Sequence, residues 1–344
     1  MTESRLRAAV VGVGHFGRHH ARIYSRLPNV DLVAVVDANP ERAAQAAEIT
    51  GARPFVDYHQ VLGSVDLVSV ATPPESHFPI ARDFLASGAA VLVEKPMTAN
   101  LPDAVRLVEV ARSTGLTLQV GYVNRYTSIM RKIRQIGVNP GFIEVHRLNA
   151  FNFRAADQGV VLDMMIHDID LVLLLVPHEV ADVQAVGMGI IGKTEDIANA
   201  RITFTNGCVA NLTASRLAMN PMRRVRVFSL ESYVSLDFDR NHALVVRKAP
   251  TFSPGSFSPE QLKDKKPDEL KSLVFTDLCT VNEFSFDKEE EPLKLQLESF
   301  VACVRTHAQP EVGPAEALRT MQVADLILKA IARKDWSAIR SDRP

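Results

Sequence analysis

The chain has 344 residues, with 39 lysines and arginines against 40 aspartates and glutamates. This length allows two domains with separate cores, and the net charge of −1 argues against the basic surface typical of proteins that bind nucleic acid or membranes. The three cysteines are widely spaced and form no CxxC pair, which predicts reduced thiols in a cytoplasmic protein.

The first third of the chain alternates short apolar runs with helical patterns. Runs typical of strands buried on both faces are "RAAVVGV", "DLVAVVD", "VDLVSVAT" and "AAVLVEKP". Because such strands need helices on both faces of a parallel sheet, we predict an α/β Rossmann dinucleotide-binding domain over residues 1–122.

The first turn of this domain reads GVGHFG, a GxGxxG pattern that follows a strand and opens a helix. Gly12 permits the tight turn, Gly14 lets the backbone approach a pyrophosphate, and Gly17 lets helix and strand pack closely. Asp37 ends the second strand, where a carboxylate binds the ribose hydroxyls and would repel a 2′-phosphate. The pattern predicts NAD in preference to NADP, although Asp37 taken alone could be an ordinary turn residue.

The motif VEKPM lies at the end of the predicted strand "AAVLVEKP" and contains Glu94 and Lys95. The carboxyl ends of parallel strands face the ligand crevice, so we expect both residues beside the nicotinamide. A partly desolvated lysine there could hydrogen-bond a substrate oxygen. The alternative is a solvated Lys-Pro turn on the surface.

The sequence pattern changes after residue 122. Runs that alternate apolar and polar residues, such as "FIEVHRL", "NARITF" and "SYVSLDF", predict an α+β domain over residues 123–344 with a large, mainly antiparallel sheet. Residues 251–290 are rich in proline, serine and charge, and we interpret them as an oligomer arm or a lid. Helical patterns at about 293–305 and 314–333 are expected to pack back on the first domain.

The apolar stretch "VVLDMMIHDIDLVLLLV", residues 160–176, carries Asp163, His167, Asp168 and Asp170. On a helix of about 100° per residue, Asp163, His167 and Asp170 share one narrow stripe, and Asp168 lies off it. Buried charges are normally paired or functional. Three interpretations are open: a network of satisfied buried side chains, a metal site with Asp and His ligands, and a catalytic group.

Taken together, these motifs resemble the glucose–fructose oxidoreductase, inositol dehydrogenase and rhizopine-catabolism family (Gfo/Idh/MocA) over nearly the whole chain. The resemblance rests on the glycine turn, Asp37, "ATPPESH" at 71–77, "EKP" at 94–96, "GYVNRY" at 121–126 and "DMMIHDID" at 163–170. It implies a metal-free catalytic group formed by Lys95, Asp163 and His167. In the implied mechanism His167 is the general base, Asp163 orients it, and Lys95 stabilises the alkoxide, although Lys95 and His167 could exchange roles.

The resemblance also implies which residues contact the ligands. The expected cofactor-binding residues are Gly12, Gly14, His15, Phe16, Gly17, Asp37, Thr72, Pro73, His77, Glu94 and Lys95. The expected substrate-binding residues are Lys95, Tyr122, Arg125, Tyr126, Arg154, Asp163 and His167. Arg125 and Arg154 are the candidates for contacts with phosphate, and Asp168 and Asp170 are the candidates for structural roles.

Several stretches, including "VVLDMMIHDIDLVL" and "EDIANARITFTNG", are similar to a narrower group, the UDP-N-acetylglucosamine 3-dehydrogenases. This similarity implies a 3-keto nucleotide sugar as the product, which an aminotransferase would aminate in lipid A and lipopolysaccharide synthesis. A free sugar, a sugar acid or inositol is the alternative substrate. A non-catalytic NAD-binding regulatory protein is the alternative of another class, but such a protein would need neither Lys95 nor His167.

The alternating strands also bear on assembly. "VRVF", "ITF" and "VANL" carry apolar residues at alternate positions, and one face of the sheet is expected to be free of helices. An apolar patch of this kind is usually buried against a partner. We therefore predict a homodimer, or a homotetramer by family resemblance, with the sheets packed face to face.

Overall fold

The computed structural model describes residues 4–151, 158–249, 278–286 and 291–335, together with residues 263, 266, 267 and 269. It divides into two compact units. Unit 1 comprises Met1–Thr127 and Glu291–Lys329, and unit 2 comprises Ser128–Glu290 and Ala330–Pro344. Within the described ranges, no helix combines the length and the apolar character needed to cross a lipid bilayer.

Unit 1 is built on a parallel sheet of six strands in the order β3-β2-β1-β4-β5-β6. The strands are β1 (Leu6–Val11), β2 (Val30–Val36), β3 (Arg53–Phe55), β4 (Leu67–Val70), β5 (Ala90–Val93) and β6 (Leu118–Val120). The helices between them are α1 (Gly17–Tyr24), α2 (Pro40–Thr50), α3 (His77–Ala86) and α4 (Leu101–Thr114). The predicted Rossmann architecture is confirmed.

The central strands of this sheet are mainly apolar because both faces are covered, whereas the edge strand β3 is exposed at Arg53 and Pro54. Every residue of β4, β5 and β6 is buried. The chain returns to this unit with two later helices, which are numbered after those of unit 2: α7 (Pro292–Thr306) and α8 (Pro314–Ala332). Leu297, Phe300 and Val301 of α7 lie in the same apolar cluster as the cores of β1, α1 and β2.

Unit 2 contains a sheet of eight strands in the order β14-β13-β12-β11-β7-β10-β9-β8. All pairs are antiparallel except β7 with β10. The strands are β7 (Phe142–Leu148), β8 (Val180–Met188), β9 (Ile197–Phe204), β10 (Val209–Ser215), β11 (Met222–Phe228), β12 (Ser232–Asp237), β13 (His242–Lys248) and β14 (Cys279–Ser285). The helical elements are α5 (Ser128–Ile136), the π turn Val161–Met165 and α6 (Ile166–Leu175).

The described parts of residues 251–290 include a regular element that the sequence did not indicate. Cys279–Ser285 forms β14, which pairs with β13 at the edge of the sheet. Lys248 lies opposite Cys279, so the chain leaves and re-enters the sheet at neighbouring positions. The remaining residues between 250 and 277 lie almost entirely outside the described part, and the arm or lid interpretation falls there.

The prediction that this sheet has an apolar face free of helices is wrong. The alternating apolar residues that suggested it are buried within the chain itself, each at most 2% exposed: Ile202, Ala210, Leu212, Val225 and Val227. The side chains that alternate with them are largely polar, as in Asn211, Arg224 and Arg226. The alternation was read correctly as a strand pattern, but the apolar set faces the unit's own core.

Candidate active site

The glycine turn after β1 leaves no room for a side chain at Gly12 or Gly17. A Cβ at Gly12, which has φ +84°, would lie 2.7 Å from the carbonyl oxygen of Ala71. A Cβ at Gly17 would lie 1.7 Å from the carbonyl oxygen of Gly12. Gly14 has no atom within 4 Å of its Cβ position, so this edge of the turn is open to an approaching pyrophosphate. His15 and Phe16 beside it are exposed.

Asp37 lies at the end of β2, against the glycine turn. Its Oδ2 accepts the N–H of Val13 at 3.0 Å, and its Oδ1 accepts the N–H of Asn39 at 2.9 Å. These two bonds fix the carboxylate, and each oxygen retains a second lone pair for a ribose hydroxyl. The geometry fits an adenosine ribose at this position.

Glu94 and Lys95 follow β5, and both are partly exposed. The Glu94 Oε1 lies 3.2 Å from Nε2 of His20, a fully buried residue of α1, and Oε2 accepts the N–H of Lys95 at 3.3 Å. A Cβ at Gly121 would lie 2.6 Å from the same carboxylate. The carboxylate of Glu94 therefore packs between His20 and Gly121 directly before Lys95.

Sequence reasoning missed His20. The only sequence feature that could have pointed to His20 is its position on α1, three residues after Gly17 and next to another histidine. His20 was indistinguishable from its neighbour His19 without knowledge of the distant partner Glu94.

His77 joins the loops that follow β4 and β5. Its Nδ1 lies 2.9 Å from the carbonyl oxygen of Pro96, and its Nε2 lies 2.8 Å from that of Thr72. Burial lowers the pKa of His77, and the two carbonyls partly offset this. The ring is fully buried, and the expected contact of His77 with the cofactor stays a prediction. Thr72 is half-buried and Pro73 is exposed.

The motif GYVNRY places its aromatic and basic side chains inside the fold. Tyr122 is fully buried, and Arg125 is 4% exposed and donates from Nη1 to the carbonyl oxygen of Glu311 at 3.0 Å. Tyr126 donates to Ser299 Oγ at 3.4 Å, and burial raises its pKa to about 12. These side chains contribute to the packing of unit 1, and their expected contacts with substrate stay a prediction.

In unit 2 the structure separates the four polar residues of the apolar helix. Asp163 and His167 are partly exposed, whereas Asp168 and Asp170 are buried. Arg147 of β7 binds Asp168 through Nε and Nη2, at 2.9 and 2.7 Å. The expected structural role of Asp168 fits this buried pair, and the complete burial of Asp170 removes it from the accessible stripe.

The helix itself is irregular where Asp163 lies. Residues Val161–Met165 form a π turn, and regular α-helix resumes at Ile166. Short π turns inside helices are frequent at functional sites. The angular positions expected for a uniform α-helix therefore do not apply across this junction.

Two further expectations concern this region. Arg154 lies in residues 152–157, outside the described residues, and its phosphate contact stays a prediction. Among the residues that the structure describes, no three His, Cys, Asp or Glu side chains are grouped so as to hold a metal ion.

The open glycine turn, the fixed Asp37 and the Glu94–Lys95 segment define unit 1 as a dinucleotide-binding domain of an oxidoreductase. Residues 6–122 match the oxidoreductase family with an NAD-binding Rossmann fold, and residues 135–231 match the C-terminal domain of the same family. The chain belongs to the Gfo/Idh/MocA family, and it is an NAD-dependent dehydrogenase.

Known relatives extend the comparison beyond the family. The chain is 39% identical over 251 residues to UDP-N-acetylglucosamine 3-dehydrogenase from Acidithiobacillus ferrooxidans, which covers 73% of this chain and 80% of the relative. The solved structure of that enzyme, GnnA, has a TM-score of 0.82 and covers 95% of this chain and 98% of its own at 32% identity. Myo-inositol 2-dehydrogenase from Thermotoga maritima is 25% identical over 292 residues, 78% of this chain and 87% of the relative.

The position of Asp37 generates a prediction about cofactor choice. NAD should bind at least about tenfold more tightly than NADP, a difference of about 1.4 kcal/mol, because the fixed carboxylate would repel a 2′-phosphate. Replacing Asp37 with Ser and Ala38 with Arg should narrow or invert this ratio, while serine keeps an acceptor for the Val13 N–H. Fluorescence titration with NADH and NADPH measures both affinities, and equal affinities in the unaltered protein would contradict the prediction.

Proposed function

We propose that this chain oxidises the 3-hydroxyl of UDP-N-acetylglucosamine to the 3-keto nucleotide sugar. The observation that carries the proposal is the 39% identity to an enzyme named for this reaction, over 73% of the chain. The inositol dehydrogenase relative at 25% identity makes inositol the alternative substrate, and a free sugar or sugar acid belongs to the same alternative.

The chain supplies the groups that this oxidation needs. NAD, when bound, accepts the hydride that leaves carbon 3. His167 takes the hydroxyl proton as general base, Asp163 orients the His167 ring, and the Lys95 ammonium stabilises the negative charge that develops on the oxygen. Lys95 and His167 could also act in exchanged roles. Unit 1 holds the cofactor through the glycine turn and Asp37.

The catalytic assignment predicts distinct losses for three variants. Lys95→Met and His167→Asn should each reduce kcat by about 10²-fold or more, because each removes a positioned acid–base group. Asp163→Asn should reduce kcat by less than either of these substitutions, because Asp163 only orients His167. Steady-state kinetics measures these effects, and NAD binding should be retained in all three variants.

Two surface residues provide matched controls for these substitutions. Lys329→Met removes a lysine paired with Asp325 on α8, and His59→Asn removes an exposed histidine paired with Asp57. Both should keep wild-type kcat. A fully active Lys95→Met variant would contradict the proposed mechanism. If a chelator abolished activity and a divalent ion restored it, the metal interpretation would be favoured instead.

The substrate is tested by comparing sugars directly. The protein is incubated with NAD and UDP-N-acetylglucosamine, free N-acetylglucosamine or myo-inositol, and NADH and ketone are measured. An aminotransferase with an amino donor is included to consume the ketone, because oxidation of an alcohol by NAD is usually uphill at neutral pH. The substrate assignment would be wrong if the protein oxidised inositol or a free sugar while the nucleotide sugar neither reacted nor shifted the melting temperature. The family assignment would still hold.

The proposed product suggests the setting of the reaction. A 3-keto nucleotide sugar is a substrate for transamination, and we place this step before an aminotransferase in lipid A and lipopolysaccharide synthesis. Cys208, Cys279 and Cys303 are free thiols in the structure, which suits a cytoplasmic enzyme. The resemblance to the nucleotide-sugar dehydrogenases is the support for this setting.

The assembly is proposed to be a homodimer, or a homotetramer, that uses the sheet of unit 2. The support is a row of aromatic side chains that alternate with the buried ones. Phe142 and Phe228 have ring centroids 5.7 Å apart, and Phe228 and Tyr233 have centroids 5.0 Å apart. Phe228 is 38% exposed in the single chain, and aromatic side chains are enriched at protein interfaces.

The assembly proposal predicts the mass in solution. Light scattering at micromolar concentration should report a multiple of 37.9 kDa. Phe228→Asp should shift the mass toward the monomer, because it places a charge in the contact. Val105→Asp, at a position on α4 with the same 38% exposure, should leave the mass unchanged. A monomeric wild-type protein would contradict the proposal.

A further inference from the structure

The helix that carries Asp163 and His167 depends on another part of unit 2 for its first hydrogen bonds. The residue before its π turn is Val160, which provides no side-chain cap. The first N–H groups of a helix have no acceptor within the helix, so they need acceptors from elsewhere in the fold.

Glu195, in the loop before β9, supplies two of these acceptors. Its backbone carbonyl accepts the N–H of Val160 at 3.0 Å, and its Oε1 accepts the N–H of Val161 at 3.1 Å. A Cβ at Gly159 would lie 2.0 Å from Oε1 and 2.3 Å from Cδ and Oε2 of Glu195. Only a glycine at 159 leaves the Glu195 carboxylate in this position.

The next residue, Asp196, anchors the loop that contains Glu195. Its side chain is fully buried, and Oδ1 accepts the Arg216 Nε–H at 2.6 Å. Burial alone would raise the pKa of Asp196, but three backbone N–H groups and the Arg216 guanidinium lower it below its ordinary value. The three N–H groups donate to Oδ2 at 2.7, 2.6 and 2.9 Å, and belong to Ile190, Ile191 and Gly192.

Arg216 extends the anchor to the chain that enters the helix. Its Nη1 donates to the carbonyl oxygen of Gln158 at 2.8 Å, and its guanidinium lies 5.0 Å from the centroid of the Phe151 ring. Phe151 and Gln158 are the described residues on either side of 152–157. The buried pair thus holds both ends of the stretch that contains Arg154, immediately before Gly159.

We infer that Glu195 is a positioning residue for Asp163 and His167, anchored by the Asp196–Arg216 pair. The inference rests on the proposed function, in which these two side chains handle the substrate proton. The N–H of Asp163 donates to the carbonyl oxygen of Gly159 at 3.0 Å, so the backbone of Asp163 follows the position of Gly159. A displacement of about 1 Å at a reacting group can cost about 10²-fold in rate.

The test uses four variants of the whole chain. Gly159→Ala and Glu195→Ala should each reduce kcat by roughly 10- to 100-fold with little change in KM for NAD, because the helix start moves while unit 1 is unaltered. Glu195→Gln keeps an acceptor oxygen and should restore kcat to within about threefold of wild type. The double variant Gly159→Ala/Glu195→Ala should be no slower than Glu195→Ala, because the added methyl then has no carboxylate to displace.

A second measurement does not depend on the substrate. The imidazole resonances of His167, recorded by NMR without sugar and assigned through His167→Asn, should shift in Gly159→Ala and Glu195→Ala but not in Glu195→Gln. Gly141→Ala is the control, since a Cβ there would lie at an ordinary 3.7 Å from the nearest atom. If Gly159→Ala does not fold, the two Glu195 variants decide the outcome.

Each result has one meaning. Unchanged His167 resonances in Gly159→Ala and Glu195→Ala, or additive losses of kcat in the double variant, would overturn the positioning role. Shifted resonances in a protein that oxidises none of the tested sugars would instead refute the proposed function and leave the positioning role in place.

Discussion

The packing of α1 against the end of β1 is the contact on which the chemistry of unit 1 depends. A Cβ at Gly17 would lie 1.7 Å from the carbonyl oxygen of Gly12, so any side chain there would push the helix away from the sheet. The close approach sets the helix N–H groups beside the open turn at Gly14. One turn later it brings His20 to within 3.2 Å of Glu94. Cofactor binding and the conformation of the segment before Lys95 thus share one geometrical origin.

Unit 2 contains two buried ion pairs, one between β7 and α6 and one between the loop before β9 and the residue that follows β10. Arg147 and Asp168 are 2.7 Å apart, and Arg216 and Asp196 are 2.6 Å apart. Buried ion pairs add little net stability, because desolvation offsets their attraction, but breaking one leaves an uncompensated charge. Their effect is therefore on position: one pair holds α6 against β7, and the other fixes the loop before β9 that contains Glu195.

The sequence was sufficient for the elements whose pattern is local. The Rossmann strands other than β3, and β7–β13, could be predicted from the order of their apolar residues. Strands buried on both faces are apolar at most positions, and strands buried on one face alternate apolar and polar residues. The glycine turn and Asp37 could be predicted because their spacing is fixed by the cofactor. Three elements, β3, α5 and β14, were missed. Strand β14 lies in a stretch dominated by polar residues and depends on β13 for its pairing.

What could not be predicted depends on partners distant in the chain. The interior positions of His77, Tyr122 and Arg125 follow from contacts with other loops, and nothing in their own motifs distinguishes a buried histidine from an accessible one. The same holds for Glu195, whose acidic side chain reads as a solvated loop residue until Gly159 is seen against it. The prediction for the apolar face of the strands was wrong. Alternation of apolar and polar residues shows that the two faces of a sheet differ, but it does not show which face the rest of the unit covers.

The π turn at Val161–Met165 limits how the length of this helix can change during evolution. A π turn contains an extra residue compared with the α-helical turn that it replaces. Deleting one residue there would restore a regular α-helix and rotate the side chains before the junction by about 100° relative to those after it. Asp163 lies within the turn and His167 lies beyond it. Insertions and deletions between them would therefore change the angle between the two side chains even in a protein that still folds, so the residue count of this segment is itself a constraint.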